Sequence, residues 1–509
     1  MPRRPAATLL AIVAAATLAL TLPFAVTAAD GPSKAQRDTL LRYAGDTWAG
    51  FEAMTDPKTG LPADSLQANG VASVQTSTTN IGAYMWSTVV AEALGLIDHD
   101  EAVDRLTTTL GTLDSMERHE PSGQFYNWYD HTTGAKLTAW PPTGDPMVPI
   151  LSSVDNGWLA TGLQIVSNAV PEVADEAAAL FDSMDFGFYY RPEVNRIAFH
   201  VAPDTGASPC CYDTIVSESR IASYIGIAKG ELPAKEYFGA WRTFPDTCDW
   251  SWPETKPVGF TATYLGVSVF EGAYPYEDFR VVPGWGGSMF EALMPALFVP
   301  EEQWAPRSWA INHPLTITAQ IHHGLVEAEY GYWGFSPANI PEGGYTEYGV
   351  DAIGMRPDGY KSNGTADGEN PTAVYVDRGF AGCPGRELVP DPPPSAYVDG
   401  VVTPHASFLA LRWAPDAVME NLANLEADFD IYDRWGFRDS VNVDTGVVSG
   451  AYLSLDQGIV MAAIGNALAD DILRDSFATK EVRKVLRPII GMERFNAGPR
   501  SAIDFEPVP

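Results

Sequence analysis

Six apolar stretches with helical spacing recur along the chain, and each begins in a turn rich in Ser, Thr, Gly or Asp. They are TTNIGAYMWSTVVAEALG from Thr78, SVDNGWLATGLQIV from Ser153, TIVSESRIASYIGIAKG from Thr214, GGSMFEALMPALF from Gly286, VTPHASFLALRWAP from Val402 and SLDQGIVMAAIGNAL from Ser454. A helix that is apolar on nearly all sides is surrounded by other helices. The pattern therefore predicts six buried helices whose polar first turns open on one shared mouth.

Most of these stretches are followed by a more polar, amphipathic segment. In the first such segment four apolar residues form one stripe, with charges opposite (Ala102, Leu106, Leu110 and Leu113). The amphipathic segments are His99–Met116, Pro171–Met184 and Pro415–Phe429, and a further helix is predicted at Lys34–Met54. This pairing predicts an all-α fold, an (α/α)6 barrel with six inner helices, six outer helices and long rim loops.

The first 29 residues have the composition of a secretory signal peptide. Arg3 and Arg4 are followed by an apolar run over 6–26 and by small residues at 27–29. The alternative is an uncleaved membrane anchor, but Pro23 and the small residues favour cleavage. We expect residues 30–509 to be secreted, since no other stretch is long and apolar enough to span a bilayer. We also expect these residues to form one domain.

The net charge of −33 arises from 65 acidic and 32 basic residues. Such a surface repels nucleic acid and anionic membranes, and it argues against a polyanionic substrate such as a uronate polymer. The simpler interpretation is a solvated acidic surface that favours solubility. We expect a monomer that contacts neither nucleic acid nor, after signal cleavage, a membrane.

Four cysteines, Cys210, Cys211, Cys248 and Cys383, allow three disulfide pairings. A bridge from Cys210 or Cys211 to Cys248 closes a modest loop and is the preferred pairing. The chain has no CxxC pair and its histidines are scattered, so neither a metal site nor a cofactor is expected. Residues 351–399 form the longest irregular stretch and are interpreted as a rim loop.

Two glutamates near the starts of predicted inner helices are candidates for acid–base chemistry. Hydrolysis of a glycosidic bond generally needs two carboxyl groups, one of them protonated by burial. Glu218 begins an otherwise apolar helix face, although stabilisation by the helix N-terminus or pairing with Arg220 is the alternative. Glu291 forms an S-x-x-E capping box with Ser288 in the simpler interpretation. The preceding WGG favours a site, because glycines admit a ligand and Trp285 can stack on a sugar.

A third carboxylate, Glu347, lies in a segment too aromatic for a solvated loop and too rich in Gly and Pro for a helix. We interpret its aromatics as sugar platforms (Tyr332, Trp333, Tyr345 and Tyr348), against the alternative of a buried loop whose tyrosines pack. Asp155 either caps its helix or binds a sugar hydroxyl together with Trp158. Asp456 is predicted to be an N-cap, and His405 a hydrogen-bonded wall residue.

Ten segments resemble, in order, the glycoamylase-like domain of bacterial endo-β-1,2-glucanases, a more distant version of which occurs in cyclic β-1,2-glucan synthases. They are TSTTNIGAYMWS, GQFYNWYD, SSVDNGWLA, SESRIASYIGIAKGE, WGGSMFEALMP, YWGFSP, GGYTEYGVDAIG, VVTPHASFLALRWAP, WGFRDSVN and YLSLDQGI. The resemblance extends from about residue 35 to 480. It implies an (α/α)6 barrel with a sugar-binding cleft and hydrolysis of β-glucan, with β-1,2-linked chains as the characterised substrate.

The resemblance also assigns acidic positions. The Glu of SESR is Glu218, that of SMFE is Glu291, that of GGYTEYG is Glu347, and the acid ahead of SESR is Asp213. Proton donor and base differ between branches of the family, and so does the anomeric outcome, so the roles stay open. The adjacent Cys210 and Cys211 and the 351–399 insertion depart from the family pattern.

These observations predict a secreted glycoside hydrolase that cleaves a neutral β-glucan, β-1,2-linked, in endo fashion. Glu218 and Glu291 are the leading catalytic pair, with Asp213 and Glu347 in support. The predicted substrate-binding residues are Trp128, Tyr129, Asp155, Trp158, Arg220, Trp285, Trp333, Tyr345 and Tyr348. The alternatives are a non-catalytic glycan-binding protein on the same fold and a polysaccharide lyase, which would need clustered Arg or Lys.

Overall fold

The computed structural model describes residues 32–244, 256–355, 393–397 and 400–500. The predicted signal peptide, Cys248, Cys383 and most of the 351–399 segment lie outside the described residues. From Pro32 onward the chain forms one compact unit. Within the described ranges, no helix has both the length and the apolar character needed to cross a bilayer.

Fourteen α-helices lie within the described residues. They are α1 (Lys34–Met54), α2 (Thr78–Ala93), α3 (His99–Ser115), α4 (Ser153–Ala169), α5 (Ala174–Ser183), α6 (Arg220–Lys229), α7 (Met289–Leu293), α8 (Glu301–Trp304), α9 (Trp309–His322), α10 (Pro404–Leu409), α11 (Pro415–Asp428), α12 (Ser454–Leu468), α13 (Ile472–Phe477) and α14 (Lys480–Ile490). The predicted helix at Lys34–Met54 is confirmed with the same bounds.

Local sequence explains where several helices begin. Ser33 and Gln36 form a capping box at the start of α1. The side chain of Asp98 accepts a hydrogen bond from the Glu101 amide and caps α3, whose predicted apolar stripe is buried. Pro415 lies in the first turn of α11, as predicted, where its missing N–H has no cost.

The buried helices pack against one another in succession. Helix α2 packs against α4 and α12, α4 packs against α6, and α10 packs against α12 and α7. Between α6 and α7 the link is a side chain, because Arg220 donates hydrogen bonds to the carbonyls of Glu291 and Ala292. The first turns of α2, α4 and α12 contribute residues to one cavity.

Three of the six predicted buried helices are shorter than their apolar stretches. Helix α6 begins only at Arg220, so Glu218 lies in the turn before it rather than inside its first turn. Helix α7 ends at Leu293 and continues as a 3-10 turn that contains Pro295. Helix α10 ends at Leu409.

The all-α prediction is correct for the helical body but misses an antiparallel four-stranded sheet. Its strands, in spatial order, are β1 (Val258–Tyr264), β2 (Val267–Tyr276), β3 (Phe279–Val281) and β4 (Gly498–Pro499). Leu265 and Gly266 join β1 to β2 with φ of 50° and 82°, the backbone signs of the tight turns that favour hairpins. The sheet thus connects the segment before α7 to the end of the described chain.

Short antiparallel ladders fasten the loops around the helix ends. The pairs are Ser65–Gln67 with Ala451–Leu453, Gln75–Thr76 with Tyr129–Asp130, Arg118–His119 with Gln124–Phe125, Leu151–Ser152 with His200–Val201, Tyr190–Arg191 with Arg196–Ile197, Ala338–Asn339 with Tyr345–Thr346, Val401–Val402 with Val441–Asn442, and Tyr432–Asp433 with Gly436–Phe437. Several of these ladders lie directly before α2, α4 and α12, and they fix the loops from which site residues project.

The predicted disulfide pairing is wrong. Cys210 and Cys211 are bonded to each other, so neither is left to bridge to Cys248.

Candidate active site

A cleft of about 680 Å³ opens where the first turns of α2 and α4 meet the loops before α6 and α12. Its described lining comprises Asp64, Ser65, Gln67, Gln75, Ser77, Thr79, Asn80, Trp128, Trp140, Val154, Asp155, Glu218, Asn339, Ile340, Pro341, Gly343, Gly344, Tyr345, Ser449, Gly450, Ala451, Leu453 and Leu455. The cleft is of the size of a small-molecule or oligosaccharide site. Its charged lining is acidic, and it combines carboxylates with amides, hydroxyls and aromatic rings.

Glu218 lies in the turn before α6 and lines this cleft. Its carboxyl group is held from one side by Trp158, whose indole Nε1 donates a hydrogen bond to Oε2 at 2.5 Å. Its backbone amide donates to the carboxylate of Glu291 at 2.8 Å. Glu218 is therefore fixed at both its side chain and its main chain.

Glu291 lies in the first turn of α7, where the Ser288 hydroxyl accepts a hydrogen bond from its amide at 3.2 Å. The capping interpretation is thus half correct. The Glu291 side chain does not return to its own helix end, because it accepts the hydrogen bond from the Glu218 amide instead. Two carboxyl-bearing turns are joined in this way.

The two glutamates are electrostatically linked. Burial raises the pKa of Glu218 well above its ordinary value, and the negative charge of Glu291 raises it further. Burial raises the pKa of Glu291 to about 7, opposed by the hydrogen bonds from the Glu218 amide and the Ser217 hydroxyl. Near neutral pH the pair therefore holds at least one proton, and Glu218 is the more favourable place for it.

Arg220 does not face the cleft, and its predicted contact with substrate is wrong. Its side chain is buried and forms a two-pronged ion pair with Glu301, at 2.7 and 3.0 Å. The same guanidinium donates to the carbonyls of Ser217, Glu291 and Ala292. Because its donors are engaged with protein groups, Arg220 ties the Glu218 turn to α7 rather than binding a sugar.

Two further predicted contact residues lie behind the cleft wall. Trp158 is buried, and its indole N–H is committed to Glu218. Tyr129 is fully buried, donates its hydroxyl to the Glu117 carbonyl at 2.6 Å and accepts from the Tyr126 amide. Both predictions of direct stacking on sugar are corrected by this burial, which leaves no ring face open to a ligand.

Trp333 and Tyr348 are also buried, so their predicted role as sugar platforms is wrong. Trp333 is 2% exposed and lies against Gly324 beneath the loop. Tyr348 packs in a small apolar cluster with Ala338 and Val401. For these two residues the alternative of a buried rim loop with packed aromatics is correct.

Trp285 is half-buried and contacts Phe199 and Tyr212 edge-on, with ring centroids 6.0 and 6.4 Å apart. Its amide donates to the Val216 carbonyl at 3.0 Å, two residues before Glu218. The adjoining Gly287 makes room for another loop of the protein. A Cβ on Gly287 would lie 1.9 Å from the Val350 carbonyl oxygen, so glycine allows that loop to approach.

Three predicted substrate contacts do line the cleft: Trp128, Asp155 and Tyr345. Trp128 is half-buried, and Tyr345 is 59% exposed. Asp155 does not cap α4, because the Ser152 side chain does so. Its carboxylate instead accepts from the Thr79 hydroxyl at 2.7 Å and the Asn127 amide at 3.2 Å.

Tyr332, by contrast, donates its hydroxyl hydrogen bond to Asp428 on α11.

The two supporting acids are placed differently. The negative charge of Glu347 contributes to the raised pKa of Glu291, which puts it near the glutamate pair. Asp213 is half-buried and accepts from the Thr214 hydroxyl, and its nearest opposing charge is Arg196. The described contacts of Asp213 therefore place it beside Arg196 rather than beside Glu218.

Sequence reasoning missed Asp64 and Trp140. Asp64 lines the cleft and accepts hydrogen bonds from the Asn80 amide at 2.9 Å and the Gln75 amide at 3.4 Å. Trp140 forms a T-shaped pair with Trp128, with ring centroids 5.6 Å apart. Neither residue belongs to an apolar helical stretch. The available sequence signals were the turn-rich segment before TTNIG for Asp64 and the aromatic residues after GQFYNWYD for Trp140.

Asp456 is not the N-cap of α12, contrary to the prediction. It faces His405 at 3.2 Å and Asp439, and all three are buried. Burial raises the pKa of Asp456 to about 7 and that of Asp439 well above its usual range. The N and O atoms of this cluster lie within 4.8 Å of one another, the spacing a cation needs. The raised pKa values are also those of two buried acids that share a proton.

Two family models match the chain. Residues 262–481 match the Glycoamylase model, described as "Putative glucoamylase". Residues 42–189 match a model described as "Protein of unknown function (DUF3131)". The chain is also similar to the cyclic beta-(1,2)-glucan synthase NdvB of Rhizobium meliloti (strain 1021), with 23% identity over 591 residues. That match covers 86% of this chain and 18% of the synthase, so the chain spans a small part of that protein.

Solved structures with the same fold include two endo-beta-1,2-glucanases. One is the Chitinophaga pinensis enzyme in its sophorotriose and glucose complex, with a TM-score of 0.61, 16% identity, and 89% of this chain and 98% of that chain covered. Another is a mutant of the Talaromyces funiculosus enzyme with beta-1,2-glucan, with a TM-score of 0.62, 12% identity and 91% of each chain covered. The helix-rich body therefore has the fold of these glucanases, and the resemblance to the glycoamylase-like domain family that the ten sequence segments indicate is confirmed.

Proposed function

We propose that this protein is a glycoside hydrolase that cleaves a neutral β-glucan within the chain, with β-1,2-linked glucan as its substrate. The observation that carries the proposal is the placement of Glu218. It is a carboxyl group that lines an acidic, aromatic cleft and is kept protonated by burial and by Glu291. A protonated carboxyl group in a cleft is what the leaving glycosidic oxygen requires.

In this proposal Glu218 donates its proton to the glycosidic oxygen as the bond breaks. A water molecule supplies the hydroxyl group that bonds to the anomeric carbon, and its other proton passes to an ionised carboxylate of the site. Glu291 is the second member of the pair. Because two neighbouring carboxyl groups resist carrying two negative charges, an ionised Glu291 keeps the proton on Glu218. The hydrogen bond from the Glu218 amide stabilises the ionised form of Glu291 and so divides the roles between the two groups.

The cleft lining supports a neutral sugar chain. The acidic lining at Asp64 and Asp155 disfavours a uronate polymer, whereas carboxyl oxygens accept hydrogen bonds from sugar hydroxyl groups. Tyr345, Trp128 and Trp140 offer ring surfaces for the apolar faces of sugar rings. The cleft volume of about 680 Å³ holds more than one sugar unit, as an endo-acting enzyme requires.

The glucanase fold and the packing sequence of α2, α4, α6, α7, α10 and α12 support an (α/α)6 barrel whose inner helices surround this cleft. We also propose that the protein is exported, because Arg3 and Arg4 precede the apolar run and small residues described above.

The linkage is tested by incubating the purified protein separately with linear β-1,2-, β-1,3- and β-1,4-glucans and separating the products by size. The proposal expects oligosaccharides of several lengths from the β-1,2-glucan early in the reaction. A reaction that releases only monosaccharide contradicts endo action. The absence of cleavage of all three polymers contradicts the assignment to β-glucan hydrolysis.

A further inference from the structure

The indole of Trp158 is the side-chain donor that holds the carboxyl group of Glu218. Its Nε1 lies 2.5 Å from Oε2 of Glu218. An indole nitrogen donates a hydrogen bond and cannot accept one. The carbonyl oxygen of a protonated carboxyl group is a stronger acceptor than its hydroxyl oxygen, so this hydrogen bond to Oε2 favours the proton on Oε1.

The position of Trp158 is itself fixed by packing. Its ring contacts Trp86 at 6.2 Å and Phe298 at 5.7 Å between centroids, and the residue is 1% exposed. The backbone of α4 lies unusually close to α2, since a Cβ on Gly82 would be 2.4 Å from the Trp158 carbonyl oxygen. The indole therefore has no room to leave Glu218 and follow a ligand.

We infer that Trp158 is a positioning residue of the proposed hydrolase, which anchors Oε2 of Glu218 so that Oε1 delivers the proton to the glycosidic oxygen. The inference rests on the proposed function, because it assigns Trp158 a role in the step that Glu218 performs. It replaces the stacking role that the sequence suggested for Trp158.

The same hydrogen bond opposes the other influences on Glu218. Burial and the charges of Glu291 and Asp155 favour the neutral acid, whereas the Trp158 N–H and the charge of Arg220 favour the carboxylate. The hydroxyl groups of Tyr212 and Tyr345 also face Glu218. Removal of the indole N–H therefore raises the pKa of Glu218 and extends the pH range in which it is a proton donor.

The test is Trp158→Phe, which keeps an aromatic ring and removes the N–H. A hydrogen bond to an ionised group is worth about one pKa unit or more. We expect the basic limb of the kcat/KM profile on the cleaved glucan to move upward by about one pH unit. We expect kcat to fall by about tenfold or more, because Oε1 is no longer aimed, while KM changes by less than about threefold.

Trp48→Phe is the matched control. Trp48 is another buried indole, and it packs against Phe51 and Tyr84 with ring centroids 6.3 and 6.0 Å apart, in contact with neither Trp158 nor Glu218. It should lose comparable stability but keep the wild-type pH profile. If Trp158→Phe lowers activity without moving the basic limb, or if Trp48→Phe moves it equally, Trp158 is only structural and the inference is wrong.

Glu218→Gln separates this inference from the proposed function. If Glu218→Gln keeps turnover, the proposed function itself fails. If Glu218→Gln is inactive while the basic limb of Trp158→Phe is unchanged, only the positioning role of Trp158 fails.

Discussion

Residue type alone predicted the acids of the site better than its aromatics. Glu218 and Glu291 could be singled out because a carboxyl group beside an apolar helix face is costly unless it has a purpose or a partner. Tyr345 is open to the cleft, whereas Tyr348, three positions on, is buried. An irregular loop has no helical or strand periodicity that would show which ring faces solvent. The exposed and buried aromatics of this loop could therefore not be distinguished from the sequence.

Tyr345→Ala and Tyr348→Ala should therefore behave in opposite ways. Loss of the exposed Tyr345 ring should raise KM for the glucan severalfold and leave the free energy of unfolding nearly unchanged. Loss of the buried Tyr348 ring should cost about 3–5 kcal/mol of stability, as truncation of a core aromatic does. Urea unfolding and steady-state kinetics measure both effects. A large loss of stability in Tyr345→Ala would contradict its assignment as a sugar platform.

Helical periodicity predicted the long elements closely and the short ones poorly. The bounds of α1 and α12 agree with their hydrophobic patterns, because each helix has a continuous buried face. The turn before α7 was misinterpreted, since Gly286 and Gly287 were assigned to ligand approach. Gly287 instead allows close approach of the segment around Val350, some sixty residues later in the chain, and only the folded structure brings the two together.

Gly287→Ala tests this element. Gly287 has φ of 67°, and a Cβ there would lie 1.9 Å from the Val350 carbonyl oxygen. The variant should lose more than about 2 kcal/mol of stability and should lower kcat, because α7 carries Glu291. Gly446→Ala is the control, since Gly446 has φ of 74° but open space around its Cα. It should cost only about 1 kcal/mol and leave kcat unchanged. Equal effects of the two variants would show that the approach to Val350 is unimportant.

At the scale of the whole molecule, the helix-rich body was predictable from six repeated apolar patterns. The four-stranded sheet was not, because its outer strand β1 is largely exposed and lacks a buried pattern. The fold also concentrates acids in its interior and on its surface. Among the described residues, burial raises the pKa values of acids such as Glu236 and Asp64.

Stability should fall as the pH rises through neutrality. Burial raises the pKa to about 7 for Glu236 and to about 8 for Glu271. Between pH 4.5 and these raised pKa values, each of the two groups is protonated in the folded state and ionised in the unfolded state. The free energy of unfolding is therefore greatest below pH 4.5 and falls by about 1.4 kcal/mol per group and pH unit until the pH passes 7 to 8. On the acid side the Arg220 ion pair lowers the pKa of Glu301 to about 2, so its contribution is lost only as the pH falls from about 4.5 toward 2.

Thermal unfolding between pH 4 and 9 measures this dependence. We expect a higher melting temperature at pH 5 to 6 than at pH 8.5. Glu236→Gln should reduce the loss between those values, because it removes one group that must ionise. A melting temperature that rises steadily up to pH 9 would contradict the predicted direction.

The most direct test of the central claim is the turnover of Glu218→Gln on the glucan that the wild-type protein cleaves, with Glu236→Gln as a matched control in a buried position away from the cleft. We predict that kcat of Glu218→Gln falls by at least about a hundredfold. The fold of this variant and its binding of the glucan should be unchanged. Glu236→Gln should stay near wild-type activity. If Glu218→Gln turns over within about tenfold of the wild-type rate, Glu218 is not the proton donor and the proposed chemistry is wrong.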